Sequence, residues 1–307
     1  MEMTIRLTVR TALWRSHVAR IVNEVDGLVP VVKGNGYGFG RVELARLAAE
    51  FADTVAVGTV HELDGLPDGL HPVVLTPTLA PPTTTLPILT IGNDVHLDVL
   101  DGWNGRVVVK LASSMQRYGR GIELVDAARR RGLDVVGVSI HPPLAGTVAD
   151  HRNEVVAALD GVEPGSTVWV SHLDPDAAAS LPDTHTYRLR LGTALWHGDK
   201  SFFRLSADVI DVRPVAAGSL AGYHQAPVAA DGHLVMVGAG SANGVTALAD
   251  GRSPFHFEQR RLALHEAPHM HTSMAFVPLG DPVPPIGASI DLQRPLTMTL
   301  VDEYDWQ

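Results

Sequence analysis

The first two-thirds of the chain carries short apolar runs at a recurring interval. They fall at residues 29–32, 54–60, 73–76, 88–91, 107–111, 135–140, 167–170 and 187–195. Each has the length and β-branched content of a buried strand. Between many of them the apolar positions take helical spacing, over 41–51, 93–100, 121–131, 150–159 and 174–181. Residues 11–25 share that spacing through Leu13, Val18, Ile21, Val22 and Val25, and residues 4–9 alternate as a strand ahead of them. Residues 80–85 are rich in Pro and Thr, so the third crossover is expected to be a loop. Strands alternating with helices pair in parallel through helical crossovers. Eight such units predict a small (β/α)8 barrel over residues 11–202.

Past Phe202 helical spacing fades, and alternating runs separated by Gly and Pro take over. Residues 206–212, 234–237 and 296–301 are the clearest expected strands. The expected fold class is α/β: a (β/α)8 TIM-like barrel followed by a second, mostly β-strand domain over 203–307. The strand within residues 1–10 is expected to join that β domain.

Composition narrows the function. Hydrophobic residues make up 45% and charged residues 19%, enough apolar content for a sizeable core. Thirty-four acids against 24 Lys and Arg give a net charge of −10, which argues against nucleic acid or an anionic membrane as a partner. The absence of cysteine excludes disulfides, thiolate metal sites and a cysteine nucleophile. No basic-then-apolar leader pattern opens the chain, and no apolar run approaches the ~18 residues of a membrane span. The expectation is a soluble cytoplasmic protein.

The candidate chemistry starts at Lys33. It follows the apolar run Leu28-Val29-Pro30-Val31-Val32, and four glycines follow it within seven residues: Gly34, Gly36, Gly38 and Gly40. A lysine at the mouth of a buried strand loses hydration, which disfavours the ammonium form and lowers the pKa. Such an amine attacks carbonyls, including the aldehyde of pyridoxal phosphate. Glycines let the backbone approach something flat or anionic. The same residues also describe a lysine reaching solvent beside a flexible turn.

In a barrel of this kind active sites lie at the C-terminal strand ends. There the sequence places Lys33, then Ser113-Ser114-Met115-Gln116-Arg117, then His141, Ser171-His172, and finally Arg190 with Gly192-Thr193. A lysine, two arginines, histidines and hydroxyls on one face describe a pocket for a polyanion bearing an aldehyde. The run Gly238-Ala239-Gly240 is not a dinucleotide loop, because no helix with a downstream acid follows it.

These stretches resemble alanine racemases over nearly the whole chain. Val32-Lys33-Gly34-Asn35-Gly36-Tyr37-Gly38-Phe39-Gly40 resembles the family's cofactor-lysine motif Val-Lys-Ala-Asn-Ala-Tyr-Gly-His-Gly, with both alanines glycine and the histidine Phe39. Residues 110–119 resemble Lys-x-Asp-Thr-Gly-Met-x-Arg-x-Gly, with Ala112-Ser113-Ser114 replacing Asp-Thr-Gly. Residues 190–196 resemble Arg-Pro-Gly-Ile-Ala-Leu-Tyr. The chain is identified as a divergent member.

The resemblance implies that Lys33 carries pyridoxal phosphate covalently, with Tyr37 beside it. It implies Arg117 at the cofactor's phenolic oxygen and at substrate, His141 as cofactor support, and Ser171, Gly192 and Thr193 at the phosphate. Arg190 would face the pyridine nitrogen. A guanidinium holds its proton, so the ring stays neutral and a weaker electron sink, which suits racemisation over transamination. Lys110 falls where many members have a carbamylated lysine that positions the arginine. The resemblance further implies a head-to-tail homodimer with shared active sites and a small amino-acid substrate.

Departures lie in the second domain. The family's second base is a tyrosine in Gly-Tyr-Ala-Asp-Gly, and the matching stretch here is Gly240-Ser241-Ala242-Asn243-Gly244. The catalytic pair is therefore expected to be Lys33 and Ser241. Ser273-Met274-Ala275 stands where the family has Ser/Cys-Met-Asp, leaving Met274 for the substrate carboxylate. Tyr304 is a candidate for the family's C-terminal phosphate tyrosine. His265, His269 and His271 gather before Met274 without the cysteine or aspartate of metal-assisted relatives on the same barrel, and no metal is assigned. The reading is an amino-acid racemase or epimerase. Its alternatives are a one-base lyase, decarboxylase or aldolase on the same scaffold, and a non-catalytic cofactor-binding protein.

Overall fold

The computed structural model describes residues 5–307. The chain opens on β1 (Ile5–Val9) and α1 (Thr11–Glu24). It continues through β2 (Leu28–Pro30), α2 (Arg41–Ala48), β3 (Thr54–Val57), β4 (His71–Val74), β5 (Ile88–Ile91) and α3 (Asp94–Val99). Next come β6 (Arg106–Lys110), α4 (Glu123–Arg130), β7 (Asp134–Ser139), α5 (Val148–Ala158), β8 (Thr167–Val170), α6 (Pro175–Ala179), β9 (Thr186–Leu191) and α7 (Thr193–Trp196). The remainder is β10 (Phe203–Val215), β11 (Leu220–Ala221), β12 (Ala226–Pro227), β13 (Gly232–Val237), β14 (Phe255–Phe257), β15 (Arg260–Arg261), β16 (Ala263–Leu264), β17 (Ser273–Pro278), β18 (Ser289–Leu292) and β19 (Glu303–Trp306). Two compact units result. One holds the chain up to Trp14, Gly38–Gly40 and Asp199–Gln307; the other holds Arg15–Tyr37 and Arg41–Gly198.

The second unit is the barrel. Eight parallel strands run in the order β2-β9-β8-β7-β6-β5-β4-β3. The ring closes between β2 and β3 through one parallel bridge, Val31 to Ala56, with the Val32 amide donating to Ala56 O at 2.8 Å. Strands covered on both faces read as unbroken apolar runs, and Val55, Val57, Val107, Val109, Val168 and Val170 are fully buried. No helix covers the crossover from β4 to β5, where the Pro- and Thr-rich segment lies.

Three expected strands change. The run at 54–60 stops at Val57, because the Glu62 carboxylate takes the Gly58 amide (2.7 Å) and the chain turns into a 3-10 helix, Val60–Glu62. The run at 187–195 stops at Leu191. Gly192 redirects the chain, and Leu195 and Trp196 are buried from a helix instead. The expected strand at 296–301 is a 3-10 turn, Leu296–Met298, capped by Pro295, and the Thr299 hydroxyl donates back to Pro295 O at 3.0 Å.

The other unit is a nine-stranded sheet with the path β15-β14-β18-β10-β13-β17-β16. Strand β1 pairs antiparallel with β10 and parallel with β19. The expected strand at 4–9 starts at Ile5, and Thr4 lies outside the described residues. Ile5, Leu7 and Val9 are fully buried and alternate with half-exposed Arg6 and Thr8. A register shift between Val209 and Asp211 bends the long β10. Phe39, which replaces the family's histidine, is fully buried, its ring 5.2 Å from Trp14 and 5.6 Å from Phe203. Among the described residues no helix is long and apolar enough to cross a membrane.

Candidate active site

The barrel strands end at a mouth dominated by cations. Lys33 follows the fully buried Val32 and is exposed, not sunk along its stem as the sequence suggested. Its amine is still lowered from the ordinary lysine value. Crowding by protein removes part of its hydration, and Arg117 and Arg190 repel its charge against an opposing pull from Glu62. Glu62 escaped the sequence reading. The one signal available was an acid shortly after a strand end.

The glycine turn bends sharply after Lys33. Gly34 and Gly36 both have φ 63, and at Gly36 an added Cβ would run into the Arg41 backbone. Tyr37 holds φ 55, a left-handed conformation that costs a side-chain-bearing residue ~1 kcal/mol or more. Its carbonyl faces His197 Nε2 at 2.8 Å, and its ring meets the His197 ring edge-on at 5.7 Å. Burial pushes the phenol up to about 12, so it stays protonated and can donate. The hydroxyl lies against Gly192, where any Cβ would collide with it. That turn is pinned from below: Trp196 Nε1 donates to Val31 O at 2.8 Å.

Arg190, on β9, is buried. Its Nε donates to Val170 O (3.3 Å), and Nη2 donates to Ile140 O (2.8 Å) and Trp169 O (3.4 Å). These carbonyls at the ends of β7 and β8 fix the guanidinium plane. Burial lowers its pKa to about 10, which leaves it cationic near neutrality. Lys110 closes β6 and is also buried, and its Nζ has no hydrogen-bond partner. Burial first, then Arg190 and Arg117, bring its pKa to about 6 against Glu154, so the amine is neutral.

His141 shares a hydrogen bond from Nδ1 with the hydroxyl of buried Ser171. Burial, helped by Arg190, Lys110, His172 and Arg117, takes its pKa to about 2. It is a neutral imidazole. The His172 ring lies 4.5 Å from it, with Nδ1 2.8 Å from Pro142 O. Arg117 is exposed and stacks on the Tyr118 ring at 4.6 Å, and Tyr118 donates to Leu75 O at 3.1 Å. Glu154 clasps the loop before it, accepting from the Ser114 amide (2.6 Å) and hydroxyl (3.0 Å).

Lys33, Tyr37, Arg117, His141, Ser171, Arg190, Gly192 and Thr193 thus share the barrel unit. Ser241 and Met274 belong to the β unit. Ser241 opens the exposed 3-10 turn Ser241–Asn243 after β13, and Met274 on β17 pairs with Met236 on β13. Tyr304 sits on β19 with its hydroxyl over Gly40. His265 and His269 turn to different partners, Ala221 O at 3.2 Å and Glu266 at 2.5 Å.

The strand ends of this α/β barrel bring together a lysine of lowered pKa, two guanidiniums and a neutral imidazole. The chain belongs to the family described as alanine racemase, N-terminal domain, whose model matches residues 11–199. Members of that family depend on pyridoxal phosphate. The alanine racemase of D-cycloserine-producing Streptomyces lavendulae superposes with a TM-score of 0.74 at 19% identity, over 100% of this chain and 98% of that one. The alanine racemase of Clostridium difficile 630 gives 0.73 at 16%, over 100% and 96%. That of Bartonella henselae, solved with covalently bound pyridoxal phosphate, gives 0.73 at 15%, over 99% of each chain. At these identities the likeness is one of fold. No curated protein matches the chain in sequence.

Proposed function

We propose that this chain is a pyridoxal-phosphate-dependent amino-acid racemase or epimerase. The observation that carries the reading is one charged cluster. Lys33 has a lowered amine, and the same two guanidiniums, Arg117 and Arg190, press on it and on the neutral Lys110 and His141.

The residues fit the cofactor. Tyr37 keeps its phenolic proton and lies over a glycine that has no space for a side chain, a cradle suited to a phosphate between a donor and the Gly192-Thr193 backbone. Ser171 adds a hydroxyl. Arg190 is the residue for the pyridine nitrogen, and His141 supports it. When bound, pyridoxal phosphate supplies an aldehyde for the amine and a conjugated ring that acidifies the α-carbon of an amino acid. Lys33, unprotonated more readily than a free lysine, takes or returns a proton on one face of that carbon. Arg190 holds its own proton and gives none to the group it faces. Arg117 and Met274 are assigned to the substrate carboxylate.

Racemisation needs a second proton-transfer group on the opposite face, which Lys33 cannot reach from its own. The reading therefore includes a homodimer in which the β unit of one copy completes the pocket of the other, with Ser241 in the family's tyrosine position. Light scattering should give twice the 32.8 kDa chain mass; a monomer at working concentration would remove the shared-site reading. The second reading, a one-base lyase or decarboxylase, draws on Ser241, because a serine hydroxyl without a base is a poor proton carrier. Incubation with amino acids in deuterated water separates them. Deuterium in both enantiomers supports the racemase. Label in one enantiomer, or loss of carbon dioxide, supports the second reading.

A further inference from the structure

We propose that His197 is a positioning residue for the cofactor's phosphate: it grips Tyr37 by its backbone carbonyl, so that the phenol stands at the Gly192-Thr193 turn. The proposal rests on the pyridoxal-phosphate reading above and deepens it by one residue. All the groups it uses belong to the barrel unit.

Tyr37 touches both ends of one short helix. Its hydroxyl lies against Gly192, just before α7, where a Cβ would collide with it. Its carbonyl faces His197 Nε2, just after α7, at 2.8 Å. His197 is tied to that helix, because its amide donates to Thr193 O at 2.9 Å. From Gly192 to His197 is five residues, ~7.5 Å at the helical rise. A tyrosine laid from carbonyl to hydroxyl covers that span. Anchoring the carbonyl at the far end therefore brings the hydroxyl to the near one.

The anchor works against a conformational cost. Tyr37 sits at φ 55, ψ 23, in the left-handed region that a residue with a side chain avoids. Gly34 and Gly36 before it leave the turn many other paths, and the His197 contact selects the one that folds Tyr37 over α7. Burial lowers the His197 pKa more than the carbonyl raises it, so the ring is neutral near neutrality. A carbonyl only accepts, which puts the ring proton on Nε2. The two rings also meet edge-on at 5.7 Å. The next residue back does the same on the other side of the lysine: Trp196 Nε1 donates to Val31 O at 2.8 Å. Trp196 and His197 thus hold the main chain on either side of Lys33, at Val31 and at Tyr37. The amine that takes the aldehyde and the donor that meets the phosphate are fixed to one helix end.

The test compares pyridoxal phosphate with pyridoxal, which carries the same aldehyde and no phosphate. Both are bound to the full chain freed of cofactor and followed by equilibrium dialysis, with phosphorus NMR of the bound phosphate as a second readout. His197→Phe keeps a ring and loses the donor. It should weaken pyridoxal phosphate ~3–10-fold, change pyridoxal less than ~2-fold, and shift the phosphorus signal. His197→Gln, whose amide reaches the place of Nε2, should bind both nearly as wild type does. In Tyr37→Phe, which has no hydroxyl to place, adding His197→Phe should change pyridoxal-phosphate affinity by less than ~2-fold. His197→Asn, polar but too short to reach the carbonyl, takes the place of His197→Phe if the latter does not fold. Equal losses for the two ligands, as a residue that only supports the fold would give, overturn the proposal. So do undiminished pyridoxal-phosphate binding, a loss in His197→Gln as large as in His197→Phe, or additivity with Tyr37→Phe. A wild type that takes up no pyridoxal phosphate overturns the cofactor reading itself, and the proposal with it.

Discussion

Replacing Lys110 with methionine should stabilise the protein, most strongly at low pH. Lys110 is 4% exposed, and its amine lacks a partner. Its pKa falls from 10.5 unfolded to about 6 folded, through burial and through repulsion by Arg190 and Arg117. The sign follows from proton counting. Between about pH 6 and 10 the unfolded chain binds a proton at this site that the folded chain does not, so stability rises with pH there. Below about pH 6 both states are protonated, and the folded state carries the full cost of a buried cation beside two others. At ~1.4 kcal/mol per pH unit the ceiling is about 6 kcal/mol. Local relaxation and water entry bring measured costs of unpaired buried polar groups to ~1–3 kcal/mol. Methionine keeps the stem's volume and removes the amine. The assay is urea unfolding of both proteins across this pH range in bicarbonate-free buffer, where the amine stays unmodified. Lys110→Met should gain about 2–3 kcal/mol near pH 6, and the gain should shrink toward pH 10. A destabilised variant, or a difference flat in pH, refutes the argument.

Other outcomes follow from the same geometry. Wild type should purify yellow or turn yellow with added pyridoxal phosphate, and Lys33→Ala should lose that absorbance on gel filtration while folding normally by circular dichroism. Gly192→Ala drives a methyl into the Tyr37 hydroxyl, so it should cost ~1–3 kcal/mol in thermal unfolding and weaken pyridoxal-phosphate binding by equilibrium dialysis. Bicarbonate should raise the melting temperature of wild type and not of Lys110→Met, if Lys110 carries the carbamate that the resemblance implies. Ser241→Tyr should raise alanine racemisation above wild type by ~10²-fold or more, measured as deuterium in the product enantiomer; wild type racemising alanine at ordinary enzymatic rates would put the second base elsewhere.

The barrel was legible because parallel strands buried on both faces write continuous apolar runs. The strand ends were legible for the same reason: once the runs are placed, Lys33, His141, Ser171 and Arg190 fall at their exits. Edges were harder. Strand β19 is Glu303-Tyr304-Asp305-Trp306, whose half-charged alternation reads more weakly than the apolar residues 296–301, yet Pro295 turns the latter into a cap and a 3-10 helix. Leu195 and Trp196 look like strand continuation until Gly192 breaks the direction. The sequence clusters His265, His269 and His271, but does not say that the His269 ring meets the Glu266 carboxylate three residues before it. That carboxylate also accepts the amides of Tyr223 and His224, from a loop some forty positions away. Lys110 was read for its place in a motif, and its missing partner is a fact of packing alone.

The barrel mouth divides charge and basicity between residue types. Arg117 and Arg190 carry the positive charge, and under their repulsion and burial Lys110 and His141 give up theirs while Lys33 moves the same way. The arrangement works because a guanidinium has a long way to fall: burial of Arg190 leaves it at about 10, still cationic near neutrality. A lysine at position 190, starting near 10.5 like Lys110, would meet the same burial and lose its proton. The barrel mouth would then lose a fixed cation, and the repulsion that helps lower the Lys33 pKa would weaken. Arg190 is thus doubly placed. It presents a donor that does not release its proton, and its charge helps lower the pKa of the lysine at the next strand.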